Sequence, residues 1–64
     1  MQGRTPEQID ALARLDDAVH KCFKDPSEKS IDLVRSILSE CIQLRVEFPV
    51  VEIVVRPLIQ RNLL

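Results

Sequence analysis

The 64-residue chain has few of the residues that form tight turns or stacking surfaces: one glycine, no tryptophan, no tyrosine and two phenylalanines. The single glycine is Gly3, so the sequence contains no glycine-rich loop that could cradle a phosphate. Two aromatic rings are too few to form a platform for nucleic-acid bases. Nine basic residues nearly balance ten acidic residues, and the basic residues are scattered. We therefore expect no nucleic-acid partner.

The sequence also lacks a long hydrophobic run. Its longest apolar stretch, 50–55, is interrupted by Glu52, whereas a membrane-spanning helix needs about 20 apolar residues. The first residues lack the apolar core of a signal peptide, and the chain offers no helix with the Lys- and Arg-rich face of a membrane-surface helix. These features predict an intracellular protein, cytoplasmic or nuclear, without a membrane partner. Residues 1–4 are expected to lie outside the fold, either disordered or derived from a tag.

Cysteine and histidine are scarce as well. Without a secretory signal, Cys22 and Cys41 are expected to be free thiols. His20 and Cys22 stand two positions apart on a predicted helix and point about 200° apart, so they cannot ligate the same ion. Asp16 lies one turn before His20, but no nucleophile accompanies this pair, and a surface ion pair is the simpler interpretation. We expect no metal site, no cofactor and no enzymatic activity.

What is present is typical of a small folded helical domain. The chain is 45% hydrophobic and 30% charged, which argues against disorder and indicates one domain over residues 1–64. Thr5, Pro6 and Gln8 have the types expected of an N-cap, a first helical position and a capping-box partner. They predict a first helix over residues 6–24, with apolar side chains on one face.

A second helix is predicted over residues 26–47. Asp25, Pro26 and Glu28 repeat the order of cap, proline and capping-box acid. The apolar residues of this helix span an arc of about 220° on a helical wheel, which is wider than one neighbouring helix covers. The second helix is therefore expected to lie between the first helix and another element.

Antiparallel packing of the two helices around the turn at Asp25 and Pro26 suggests two ion pairs. Opposite positions have numbers that add to about 51, so Asp16 would face Arg35 and Glu7 would face Arg45. The alternative is coincidence among abundant charges. Half-exposed pairs of this kind contribute about 0–1 kcal/mol, so they would mainly fix the register.

The third segment, 49–64, is ambiguous. Its valines favour a strand, but a single strand has no partner unless a second chain supplies one. A helix over residues 50–63 is the favoured prediction, with a break near Arg56 and Pro57 because proline removes a helical hydrogen bond. A two-stranded ribbon between two chains is the alternative.

Taken together, these elements predict an all-α fold: an antiparallel helical hairpin with a third, proline-interrupted helix, forming a small three-helix bundle that is oligomeric. The apolar surface is larger than a monomer of this size readily buries. The predicted function is therefore that of a protein–protein interaction module, a dimerisation or adaptor domain whose partner is itself or a larger complex. Phe48 is the expected anchor because it is the largest side chain at the junction. The predicted seam consists of Val34, Ile37, Cys41, Leu44, Phe48, Val51, Val54 and Leu58.

Three alternatives remain open. A small regulatory or inhibitory subunit that docks on a larger enzyme would use the same seam. A nucleic-acid-binding module is disfavoured because Glu40 and Glu47 on the polar face of the second helix would repel phosphates. A self-contained bundle would leave no apolar surface for a partner.

Overall fold

The computed structural model describes residues 3–64 and folds them into three α-helices. They are α1 (Pro6–Lys24), α2 (Glu28–Gln43) and α3 (Phe48–Gln60). Helix accounts for 77% of the residues and the described chain has no strand. The prediction of an all-α three-helix bundle is confirmed. The bundle is elongated, with extents of 38 × 19 × 16 Å.

The prediction for residues 1–4 falls partly outside the described residues, since residues 1–2 are not among them. Gly3 and Arg4 precede the first helix and are exposed. A guanidinium nitrogen of Arg4 lies 3.4 Å from a carboxylate oxygen of Glu47, so residue 4 contacts the start of α3.

The first helix begins at the predicted capping box. The Thr5 hydroxyl accepts the backbone N–H of Gln8 at 3.2 Å, and the Gln8 side-chain oxygen accepts the backbone N–H of Thr5 at 2.9 Å. Pro6 occupies the first turn, where its missing N–H has no helical partner to lose. Gln8 also donates its side-chain N–H to the Leu44 carbonyl at 2.8 Å, which ties α1 to the end of α2.

The start of α2 differs from the prediction. Ser27, rather than Asp25, is the N-cap, and Ser30 completes the capping box. Asp25 ends α1 instead, with its backbone N–H bonded to the Lys21 carbonyl. Pro26 thus lies in the connection. Ser27 and Ser30 together cap the start of α2. Asp25 is therefore not needed as an N-cap and serves as the C-cap of α1.

The end of α2 comes earlier than predicted. The Arg45 N–H bonds the Ile42 carbonyl at 3.0 Å and the Val46 N–H bonds the Cys41 carbonyl at 3.1 Å, while Arg45 adopts a φ of 62°. This is the hydrogen-bond pattern of a Schellman motif, which usually uses glycine at the left-handed position. In a sequence, this motif is identified by its glycine, and Arg45 carries no such signal. The helix was therefore predicted to continue to residue 47.

The third segment is a helix, as favoured, and not a strand. It begins at Phe48 and continues through Pro57 without the predicted break. Pro57 lacks the N–H that would bond the Ile53 carbonyl, so one helical hydrogen bond is lost. Ile53 is an exposed residue. Leu58, the residue after Pro57, is fully buried and holds the last turn on the core. Asn62, with a φ of 59°, ends this helix by a second Schellman motif.

The first helix, rather than the second, occupies the centre of the bundle. It packs against both α2 and α3, whereas α2 and α3 touch each other little. Within the single chain, α2 does not lie between two elements as predicted: one flank packs on α1, and part of its apolar remainder is exposed, including Leu33 and Ile42. The core contains Ala11, Leu15, Ala18, Val19, Cys22, Val34, Ile37, Cys41, Val46, Val51, Val55 and Leu58.

The ion pairs between helices also differ from those predicted. Arg14 of α1 binds Glu40 of α2, with one N–O distance of 3.1 Å, and its Nε donates to Asp10 at 2.9 Å. Among the described residues, the predicted Asp16–Arg35 and Glu7–Arg45 pairs do not form. The numbers of the contacting residues add to 52 for Gln8 and Leu44 and to 54 for Arg14 and Glu40, against the expected sum of about 51.

Candidate functional site

A shallow groove runs between α2 and α3, where these two helices diverge. Its volume is about 300 Å³ and its lining is almost entirely apolar. We call it the α2–α3 groove. Its lining residues are Leu38, Ile42, Phe48, Val51, Glu52, Val55, Ile59 and Leu64.

The groove has a buried floor and an exposed apolar rim. Val51 and Val55 form the floor and belong to the core. On the rim, Ile42 is 57% exposed, Phe48 is 70% exposed and Ile59 is 45% exposed. A single large apolar side chain on a protein surface is ordinary, but several that converge on one concave surface are typical of an interaction site.

The predicted seam divides among three environments. Phe48, the predicted anchor, is exposed and lies on the rim of the α2–α3 groove. Leu44 and Val54 are half-buried, and Val54 lines a different depression. The other five lie in the core of the single chain: Val34, Ile37, Cys41, Val51 and Leu58. Of these, Val51 also forms part of the floor of the α2–α3 groove.

Two residues on the groove rim, Ile42 and Ile59, were not among the predicted seam residues. The helical wheel of α2 already placed Ile42 in its wide apolar arc, so the sequence carried a signal for it. The signal could not be read as exposure, because the wheel does not tell which part of a wide apolar arc the neighbouring helix covers. Ile59 follows the expected break at Pro57, which obscured its place on the continuous face of α3.

Charge is sparse at the groove. Among the described residues that line it, Glu52 is the one with an ionisable side chain, and Arg56 lies one helical turn further along α3. The closest N–O distance between their side chains is 3.9 Å, and the two side chains are 47% and 54% exposed. The groove lining thus combines apolar side chains with the charge of Glu52, and Arg56 lies beside it on α3.

A second depression, of about 380 Å³, lies between α1 and α3. Its polar residues are Asp16 and His20; the His20 Nδ1 lies 2.9 Å from the Asp16 carbonyl oxygen and 3.6 Å from its carboxylate. The Arg61 guanidinium sits 4.1 Å above the Phe23 ring, a cation–π contact that ties the C-terminal end to α1. Among the described residues that line this depression and the α2–α3 groove, none is a serine, threonine or cysteine.

The two thiols are free and buried, as expected of small apolar residues in a core. Burial raises the pKa of the Cys41 thiol, with a smaller contribution from the nearby Glu40 carboxylate. Within residues 3–64, no cluster of three or more His, Cys, Asp and Glu side chains is placed to hold a metal ion.

The ion pair between α1 and α2 dominates the titration of its two members. The hydrogen bond from Arg14 lowers the pKa of the Glu40 carboxyl below its usual value, and the same contact raises the pKa of Arg14. Both side chains remain partly exposed, at 44% and 42%. The pair therefore serves to hold α1 and α2 in register at the surface.

None of the helices described is both long enough and apolar enough to cross a membrane. No family model, curated protein or solved structure matches the chain.

Proposed function

We propose that this chain is a protein–protein interaction module that binds a polypeptide partner through the α2–α3 groove. The observation that carries the proposal is the convergence of three exposed large apolar residues, Ile42, Phe48 and Ile59, on the rim of one concave surface. Burying such side chains is favourable by about 1.5–3 kcal/mol each when they pass fully from water into an apolar contact.

The chemistry of the groove favours a polypeptide with an apolar helical face. The groove is lined by two helices and is apolar, and apolar grooves between helices accommodate side chains spaced along one face of a bound helix. Phe48 is suited to be the central contact, because aromatic residues dominate the energetics of most interfaces.

The test is site-specific photo-crosslinking of the full chain in the cells that produce it. A photoreactive amino acid replaces Ile42 on the groove rim. In a matched control it replaces Ser36, which is exposed on the opposite flank of α2. We expect a discrete polypeptide to be crosslinked from position 42 and not from position 36.

The captured polypeptide is then purified and titrated with the wild-type chain and with Phe48→Ser. Phe48 is exposed, so the substitution leaves the core intact, and circular dichroism verifies the helical content. Affinity should fall by about tenfold or more if Phe48 is a central contact. Absence of any crosslinked polypeptide from position 42, in a chain that is fully helical, would contradict the proposed function.

A further inference from the structure

One exposed face of α3, beside the groove, carries four residues in the order apolar, acidic, basic, apolar: Phe48, Glu52, Arg56 and Ile59. We call them the α3 stripe. Their spacing of four, four and three positions places them within an arc of about 80° on the helix. All four are exposed. The stripe is apolar at both ends and carries opposite charges in the middle.

This order makes the stripe complementary to itself when two copies of α3 lie antiparallel. In such a pair, the numbers of any two residues that face each other add to the same constant. The sum is 107 for the two apolar ends, Phe48 and Ile59, and 108 for the two charges, Glu52 and Arg56. One two-fold axis near position 54 therefore satisfies both matches at once, as an isologous interface requires.

The two charges of the α3 stripe are poorly paired within the chain. Their closest N–O distance is 3.9 Å. The two pairs of the same i, i+4 spacing on α1 are much closer, at 2.9 Å for Arg14 and Asp10 and 3.0 Å for Lys21 and Asp17. Glu52 and Arg56 can therefore take partners from another molecule at little cost.

Resting on the proposed function, we propose that the occupant of the α2–α3 groove is a second copy of this chain. The two α3 helices lie antiparallel, Phe48 packs against the partner's Ile59, and Glu52 pairs with the partner's Arg56. The two-fold axis repeats each contact, so the dimer has two apolar contacts and two ion pairs between its α3 helices. Ile42 of α2 lies beside this contact and extends it.

Charge and size are both consistent with self-association of moderate strength. Each chain has a formal net charge of −1, so two copies repel each other little over long range. One pair of short helices with a rim from α2 buries less than the roughly 1,600 Å² of a standard interface. We therefore expect a dimer that dissociates in the micromolar range, not an obligate one.

The experiment is sedimentation equilibrium of the full chain, from about 5 to about 500 μM, across the range in which small interfaces dissociate. Glu52→Arg and Arg56→Glu are measured singly and as an equimolar mixture. Each single reversal places two like-charged pairs across the two-fold axis. It should weaken the dimer by about tenfold. The mixture restores opposite charges at both contacts, so association should return to the wild-type level.

A charge reversal elsewhere on the surface is the matched control. Asp17→Lys changes an exposed member of an i, i+4 pair on α1, away from the α3 stripe. It should leave the dimer unchanged. Circular dichroism of every variant verifies that the helices remain formed.

A wild-type chain that stays monomeric at the highest concentration would overturn the proposal. A dimer that the single reversals do not weaken would also overturn it. That result would indicate parallel α3 helices, in which like charges already face each other in the wild type. Neither result bears on binding of a different polypeptide. That outcome is read from the crosslinking at Ile42, so failure of self-association and failure of the proposed function are distinguishable.

Discussion

The backbone N–H of Val46 donates to the carbonyl of Cys41 at 3.1 Å, and this bond closes α2 with both residues buried in the core. It spans the left-handed residue Arg45, whose φ is 62°. The chain can then turn and start α3 at Phe48, two residues after Val46. The divergence of α2 and α3, and with it the α2–α3 groove, depends on this turn.

The turn gives the first prediction. Arg45→Gly should raise the free energy of unfolding by about 0.5–1 kcal/mol, because glycine adopts a positive φ without the steric cost that a side chain imposes. Urea denaturation measures the change. Arg35→Gly is the matched control: Arg35 is exposed within α2, where glycine costs about 1 kcal/mol. Equal losses from both substitutions would contradict the role assigned to Arg45.

A second prediction concerns α3 beyond its proline. Leu58 is fully buried, whereas its neighbour Ile59 is 45% exposed. Leu58→Ala should lower the free energy of unfolding by about 2–4 kcal/mol, since it leaves a cavity in the core. Ile59→Ala should cost less than about 1 kcal/mol. Denaturation of both variants at low concentration tests this, and similar losses would mean that the last turn of α3 does not pack as described.

The Arg14–Glu40 pair predicts how stability depends on pH. Arg14 lowers the pKa of Glu40 in the folded state, so the unfolded state takes up this proton first. The stabilisation is therefore present above the ordinary carboxyl pKa of 4.5. It is lost as the pH falls through the lower, folded-state pKa.

Thermal melts between neutral and strongly acidic pH check this sign. Glu40→Gln should flatten the loss of melting temperature on the acid side. In an Arg14→Gln background the same substitution should have no such effect, because the cause of the pKa shift is gone. An equal effect of Glu40→Gln in both backgrounds would show that Arg14 does not control the titration.

Thiol labelling tests the burial of the two cysteines. Cys22 and Cys41 have no exposed surface, and the thiolate that reacts is disfavoured at Cys41 by its raised pKa. We expect both thiols to react with an aromatic disulfide reagent only as fast as the fold opens, and at once in urea. Ser36→Cys, at an exposed position, provides a fast-reacting control in the same chain. Rapid labelling of the wild type would show that the core is open.

Much of the secondary structure was accessible from the sequence because it depends on neighbouring residues. The capping box of Thr5 and Gln8 defines the start of α1, and its predicted end at Lys24 agrees with the structure. The start of α2 was predicted two residues early because Asp25 and Ser27 are both good caps. Spacing alone does not say which of two such residues closes the earlier helix.

The candidate site was much less accessible. Phe48 was predicted as an anchor and lies on the groove rim, but Val34, Ile37 and Cys41 were predicted for the same seam and lie in the core. A helical wheel identifies apolar residues and their direction around the axis. It does not identify the neighbour that covers them.

The sequence by itself therefore determined the capping box and the bounds of α1, the approximate place of α2 and the apolar character of all three segments, because hydrogen bonds and side-chain spacing within a few residues decide these features. Only the tertiary structure decided that α1 is the central helix, that α2 and α3 contact each other little, and that Ile42 of α2 meets Phe48 and Ile59 of α3 at one groove. Those features depend on the direction that α3 takes after the turn at Arg45. Small changes in backbone angles there move α3 as a whole, and the pattern of apolar residues does not encode such angles.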